Sequence, residues 1–141
     1  FHTVLGVNGN FSQFNSFSIP FGETEFEQTV GADVANFDII DPYVNVVYVS
    51  DYGLNLNVGT RLNIHSEYGK NLVYNFNPSY SYSLDQGYIK GLASYSTAYI
   101  TPSLYQLYDS NYGNTELNPE ESSTIEAGFE YKRGSFRLSG F

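Results

Sequence analysis

Between Leu54 and His65 the chain alternates without a break. Leu54, Leu56, Val58, Thr60, Leu62 and Ile64 fall on one side, and Asn55, Asn57, Gly59, Arg61, Asn63 and His65 on the other. Successive side chains of an extended strand point to opposite faces, so a period of two over this length dictates a strand with two differently solvated surfaces. It is long, because strands in globular proteins centre on about 5–6 residues.

The same rhythm recurs. Leu72, Tyr74, Phe76, Pro78, Tyr80, Tyr82 and Leu84 alternate with Val73, Asn75, Asn77, Ser79, Ser81 and Ser83. Val44, Val46 and Tyr48 share a face, and Leu5, Val7 and Phe11 alternate with Gly6, Asn8, Asn10 and Ser12. Ser123, Ile125, Ala127, Phe129 and Tyr131 alternate with Thr124, Glu126, Gly128 and Glu130. Tyr88 to Tyr99 makes a weaker strand rich in small residues, with Ile89, Ala93, Tyr95 and Tyr99 on one face, and Ser135 to Phe141 begins another. Helical periodicity is nearly absent, so the fold class is all-β, in about seven strands.

The connections come in two kinds. Asp51-Tyr52-Gly53, Asp85-Gln86-Gly87 and Lys132-Arg133-Gly134 read as tight turns in which Gly supplies positive φ. Ser18 to about Asp41, Ser66 to Lys70 and Ile100 to about Glu121 read as the connections of the opposite end, two of them long. Short turns at one rim, longer loops at the other and strands long enough for a tilted bilayer crossing are the pattern of an antiparallel up-and-down transmembrane β-barrel.

Composition supports wet-inside, apolar-outside polarity over a soluble sandwich. Only 15% of residues are charged, against about 25% usually, while 14 Tyr and 11 Phe bring the aromatics to 18%. The polar faces carry Asn, Ser and Gly rather than Lys and Glu, which suits a water-filled lumen. Tyr43, Tyr52, Tyr68, Tyr88 and Tyr99, near strand ends, are expected in interfacial girdles. Pro78 stands against a central strand, since Pro removes a ladder donor. Seven strands do not close a bacterial barrel, whose strand number is even and at least eight, so the chain reads as an excerpt of a larger wall.

Several function classes are excluded. A net charge of -9 is wrong for neutralising phosphates, so no nucleic-acid partner is expected. No Cys means no disulfide and no thiolate ligand or nucleophile. No G-x-S-x-G elbow or paired-carboxylate motif anchors the Ser, Asp and His residues, so the chain is not expected to be an enzyme.

From Gly91 onward the residues resemble a known family. Leu92-Ala93-Ser94-Tyr95-Ser96-Thr97-Ala98-Tyr99, Thr101-Pro102-Ser103-Leu104-Tyr105-Gln106-Leu107-Tyr108, Tyr112-Gly113-Asn114-Thr115-Glu116-Leu117-Asn118-Pro119-Glu120-Glu121-Ser122 and Glu126-Ala127-Gly128 resemble the later barrel strands of TonB-dependent outer-membrane receptors. Asn77-Pro78-Ser79-Tyr80-Ser81-Tyr82 resembles the preceding strand of that family, which commonly carries a proline there. Residues 104–122 resemble vitamin B12 transporters and related siderophore receptors. The resemblance implies residues 1–141 as part of a 22-stranded barrel without its plug, in the outer membrane of a Gram-negative bacterium. It implies uptake of a scarce nutrient such as a corrinoid or ferric siderophore. The implied partners are outer-membrane lipid, the TonB complex through the plug, the nutrient ligand, the barrel-assembly machinery and a surface lipoprotein. Two other readings stand beside it: a soluble all-β ligand- or carbohydrate-binding module, and a partial barrel chain held as a client of assembly machinery.

The candidate sites follow from that placement. Tyr105, Tyr108, Asp109, Asn111, Tyr112 and Asn114 form an outer loop suited to gripping a large amphipathic ligand, or an ordinary solvated loop with Tyr at the membrane rim. Asn55, Asn57, Arg61, Asn63, His65, Asn75, Asn77, Glu126 and Glu130 face the lumen, where charges can pair with a plug. Glu23, Glu25 and Glu27, followed by Asp33, Asp38 and Asp41, are weak calcium candidates as in loops of some B12 transporters, though an acidic surface loop explains them better. No other cofactor is expected. Pro119, Glu120 and Ser122 read as structural, fixing the chain as it re-enters the sheet.

Overall fold

The alternating runs become long antiparallel strands. In the computed structural model, which describes residues 1–141, they are β1 (His2–Gln13), β2 (Ser16–Ser18), β3 (Glu27–Val30), β4 (Asn36–Val49), β5 (Leu54–His65), β6 (Gly69–Leu84), β7 (Gly87–Ile100), β8 (Glu120–Arg133) and β9 (Phe136–Gly140). One short helix, α1 (Leu104–Tyr108), lies between β7 and β8. No helix is long and apolar enough to cross a membrane.

Seven strands form one meander in the order β1-β4-β5-β6-β7-β8-β9, and β2–β3 is a separate small hairpin. Every pairing is antiparallel, and β1 and β9 are the two edges. Directly paired residues share a face, so the register sorts the whole sheet. Val46↔Val58, Val58↔Phe76, Phe76↔Tyr95 and Tyr95↔Ile125 run across the outer face. Asn45↔Gly59, Gly59↔Asn75, Asn75↔Ser96 and Ser96↔Thr124 run across the inner one.

Burial is inverted relative to a soluble domain. The inner face holds the buried polar residues Asp41, Asn63 and His65, while Val58, Leu72, Phe76, Ile89, Ile125 and Phe129 on the outer face stay exposed. Only 11 of 141 residues are buried, and the exposed area is 10038 Å². A compact soluble protein of this mass would expose about 7,300 Å². A sandwich also needs a second sheet to cover the apolar face, and besides the seven-stranded sheet there is only the short two-stranded β2–β3 hairpin.

The turns differ in how they use Gly. Gly53 has φ +93 and lies so close to the Ser81 carbonyl that a Cβ would sit 2.0 Å from its oxygen. Gly87, expected to supply positive φ, does not; it is the first residue of β7, and a Cβ there would come within 1.8 Å of the Lys132 carbonyl oxygen. Its reason is space between strands rather than backbone conformation.

Pro78 is accommodated without slippage. Pairing with β5 is continuous through Leu56↔Pro78, whereas the ladder to β7 skips Asn77 and Pro78 and resumes in the same register at Ser79↔Leu92. The Ser94 hydroxyl bridges the gap by donating to Asn77 Oδ1 at 2.8 Å. Higher up, the Tyr74 amide donates to Thr97 Oγ1 at 3.0 Å instead of to a backbone carbonyl. The Tyr74 amide thus finds a side-chain acceptor, and Ser94 and Asn77 join the two strands by their side chains, where the ladder is interrupted.

Three expectations need correction. Residues 18–41 are not one open loop: they contain the end of the β2–β3 hairpin, and β4 begins at Asn36, so Asp38 and Asp41 lie on a strand. Residues 100–121 contain α1, whose Ser103 accepts from the Gln106 amide while the Gln106 side chain accepts from the Ser103 amide, a reciprocal cap. The girdle is also revised. Tyr43 and Tyr88 point inward, because they pair with Arg61 and Lys132 on the inner face, and Tyr68 packs on His65. Tyr52 sits at the turn beside Tyr48, with hydroxyls 3.4 Å apart, and Tyr80, Tyr82 and Tyr131 complete the outward tyrosines of the short-turn end.

Candidate ligand-facing wall and outer loop

The inner wall is built from β4 to β8. Asn57↔Asn77, Asn55↔Ser79, Arg61↔Val73 and Asn63↔Asn71 place the polar candidates of β5 and β6 on one surface, and Ser94↔Glu126 and Lys90↔Glu130 extend it. Gly59 gives this wall a hollow of about 380 Å³ bordered by Tyr43, Asn45, Arg61 and Asn75. A Cβ at Gly59 would lie 2.7 Å from Asn45 Oδ1 and 3.1 Å from the Asn75 amide, so the missing side chain is what lets the two amides converge. Asn57 Oδ1, Asn63 Oδ1 and Asn75 Oδ1 accept no hydrogen bond within the chain. The wall is therefore rich in acceptors turned inward.

At the outer end the wall becomes drier. Asn63 Nδ2 donates to Asp41 Oδ1 at 2.8 Å between two buried side chains. His65 ends β5, and its Nδ1 accepts from the amides of Glu67 at 3.1 Å and Tyr68 at 3.4 Å. That fixes the neutral tautomer with its proton on Nε2, which makes no hydrogen bond. Phe37 and Tyr68 flank the imidazole, with ring centroids 4.8 and 4.9 Å away. His65 thus caps the β5–β6 turn from inside the wall. Burial raises the Tyr68 hydroxyl above the usual tyrosine range, with smaller contributions from Tyr108, Tyr99 and Glu67, and the hydroxyl donates to the Leu117 carbonyl at 3.1 Å.

The loop between β7 and β8 reaches across the sheet. Leu104 is buried against Phe37 and Ile39 of β4, with Phe14 and Tyr108 around them, and Leu107 is buried as well. Tyr105 meets Phe14 edge-on at 6.3 Å. Asp109 Oδ1 accepts from the amides of Asn111 at 3.0 Å and Tyr112 at 2.9 Å, and Asn114 Oδ1 accepts from the Glu116 amide at 2.9 Å. Of the six loop candidates, Tyr108, Asp109 and Asn114 are thus engaged in holding the loop. Asn111 and Tyr112 remain at its tip, the latter 82% exposed.

Two more groups complete the picture. Glu130 accepts from the Tyr88 hydroxyl and from Arg137 Nη2, the latter at 3.0 Å, a cross-strand cluster at the short-turn end of the inner wall. Neither Tyr88 nor Arg137 was legible in the sequence as a partner of Glu130, because only the strand register places them beside it. Glu23, Glu25 and Glu27 lie in or beside the β2–β3 hairpin, and no three His, Asp or Glu side chains are grouped to hold a metal ion.

A family model described as TonB dependent receptor-like, beta-barrel, matches residues 2–141. The chain belongs to the TonB-dependent receptor β-barrel family. The vitamin B12 transporter BtuB of Vibrio cholerae serotype O1, in its O395, M66-2 and El Tor Inaba N16961 strains, is 36% identical over 74 residues, which is 52% of this chain. The chain spans only 12% of the length of these relatives. No solved structure matches it significantly. In this family setting the sheet is a stretch of receptor barrel wall, with short turns at one rim and longer connections at the other.

Proposed function

We propose that the intact protein is an outer-membrane receptor of a Gram-negative bacterium that takes up a corrinoid, ahead of a ferric siderophore, through a plugged barrel driven by the TonB complex. The carrying observation is the 36% identity to a vitamin B12 transporter within a chain matched end to end by the receptor barrel family. The exposed apolar outer face and the acceptor-lined inner face support a wall between lipid and a wet lumen.

In this reading Tyr112 and Asn111, exposed at the tip of a loop fixed by Leu104 and Leu107, meet the ligand first, Tyr112 by stacking and Asn111 by hydrogen bonding. The test is binding to the purified intact receptor, with cyanocobalamin and a ferric siderophore as probes. Cyanocobalamin is expected to bind, and Tyr112→Ala to weaken it by up to about tenfold, the equivalent of one aromatic contact. Binding of the ferric siderophore without cyanocobalamin overturns the corrinoid assignment.

A further inference from the structure

At the short-turn rim the outer face has a feature away from the ligand-facing wall. Leu84, Gly87 and Arg133 form one outward row across β6, β7 and β8, and Tyr82, Ile89 and Tyr131 form the row above it. The middle member of the lower row has no side chain and lies against the Lys132 backbone, so the row of side chains, though not the sheet itself, is notched between Leu84 and Arg133. A cavity of about 420 Å³ opens there, lined by Tyr82, Leu84, Asp85, Tyr131 and Arg133.

The charges in this notch are unspent. The ion pair of this chain is Arg137–Glu130 on the inner face, so neither Arg133 nor Asp85 has an ionic partner, and the two form no ion pair with each other. An unpaired guanidinium and carboxylate lining one cavity together with two tyrosines match a headgroup carrying both a phosphate and an ammonium.

We propose that this notch binds a phospholipid of the periplasmic leaflet whose headgroup is a phosphodiester with a primary ammonium. Arg133 presents its planar fork of donors to the phosphate oxygens, a geometry suited to bidentate contact. Asp85 accepts the N–H donors of the ammonium. Leu84 and Ile89 and the rings of Tyr82 and Tyr131 meet the glycerol and upper acyl carbons, with the tyrosine hydroxyls at the headgroup level. A trimethylated ammonium has no N–H to donate to Asp85, and a glycerol headgroup sets a net negative charge beside it. The site therefore discriminates by headgroup chemistry and not by attraction to anions alone. It rests on the strands crossing a bilayer and is independent of which nutrient is carried.

The experiment uses the full-length receptor in nanodiscs holding equal amounts of phosphatidylethanolamine, phosphatidylcholine and phosphatidylglycerol. After extraction into mild detergent, retained lipid is counted by native mass spectrometry. Retention of phosphatidylethanolamine about tenfold above phosphatidylcholine is expected, the worth of a single charge-assisted hydrogen bond. Asp85→Asn should bring the ratio close to one, and Arg133→Gln, which removes the phosphate contact common to both lipids, should lower the retention of each, with heat-modifiable gel migration reporting that both variants are folded. Equal retention of all three lipids by the unaltered protein, phosphatidylglycerol retained as well as phosphatidylethanolamine, or a preference that survives Asp85→Asn would overturn the site. Cyanocobalamin binding by the same preparation keeps the two readings apart, since its persistence without lipid preference removes the lipid site alone.

Discussion

Asn63 and Asp41 form a buried hydrogen bond of 2.8 Å across β5 and β4, on the face that a bilayer protein turns away from lipid. It joins strands where the β4–β5 ladder itself is interrupted, since pairing passes from Ile40↔Ile64 to Tyr43↔Arg61. Asp41→Ala strands the Asn63 amide in a buried position and should cost about 1–3 kcal/mol, whereas Asp41→Asn, which keeps an acceptor, should cost less. Urea midpoints for folding of the full-length protein into liposomes measure the difference.

Val58 and Asn57 are neighbours on opposite faces of β5. Val58→Arg should cost about 2–4 kcal/mol near the bilayer midplane, while Asn57→Arg, turned toward the lumen, should cost little. Equal costs in the same folding assay would reject the assignment of faces.

Gly87 and Gly91 both lie outward on β7, yet only Gly87 is crowded: a Cβ there meets the Lys132 carbonyl oxygen at 1.8 Å, and at Gly91 nothing lies within 4 Å. Gly87→Ala should destabilise by about 1–3 kcal/mol through forced backbone movement. Gly91→Ala should leave the unfolding midpoint unchanged.

Leu104 anchors the β7–β8 loop to Phe37 and Ile39 of β4. Removing its buried side chain in Leu104→Ala should cost about 2–5 kcal/mol of docking, and removing the helix cap in Ser103→Ala about 1 kcal/mol. The loop would then open locally without the wall unfolding. Limited proteolysis of the receptor on whole cells should show faster cleavage within residues 101–119 in the order Leu104→Ala, Ser103→Ala, unaltered protein.

Strand existence and facing were legible in the residues because bilayer and lumen impose opposite polarity on alternate positions. Leu54–His65 carries that contrast at almost every step, and its register matches the alternation. Tyrosine blurs it: an apolar ring with a hydroxyl suits either face, so Tyr43 and Tyr88 were assignable only once Arg61 and Lys132 were known to be their partners. The α1 cap was not read from the sequence, because its Ser103 and Gln106, three residues apart, stand among loop residues that mask the spacing. The β2–β3 hairpin was not legible, because its register shifts between Ser16 and Phe17 and breaks the period. Loop side chains such as Asp109 look like ligand contacts in sequence, but their turn bonds depend on where the chain folds back.

The most direct test of the wall is where successive β5 side chains go. Spin labels placed singly at residues 55 to 64 of the full-length receptor in liposomes report accessibility to lipid-soluble oxygen and to a water-soluble nickel chelate. Positions 56, 58, 60, 62 and 64 should favour oxygen, and 55, 57, 59, 61 and 63 the chelate, alternating at every residue. A profile without that alternation, or with the two sets exchanged, would contradict a receptor wall whose apolar face meets lipid.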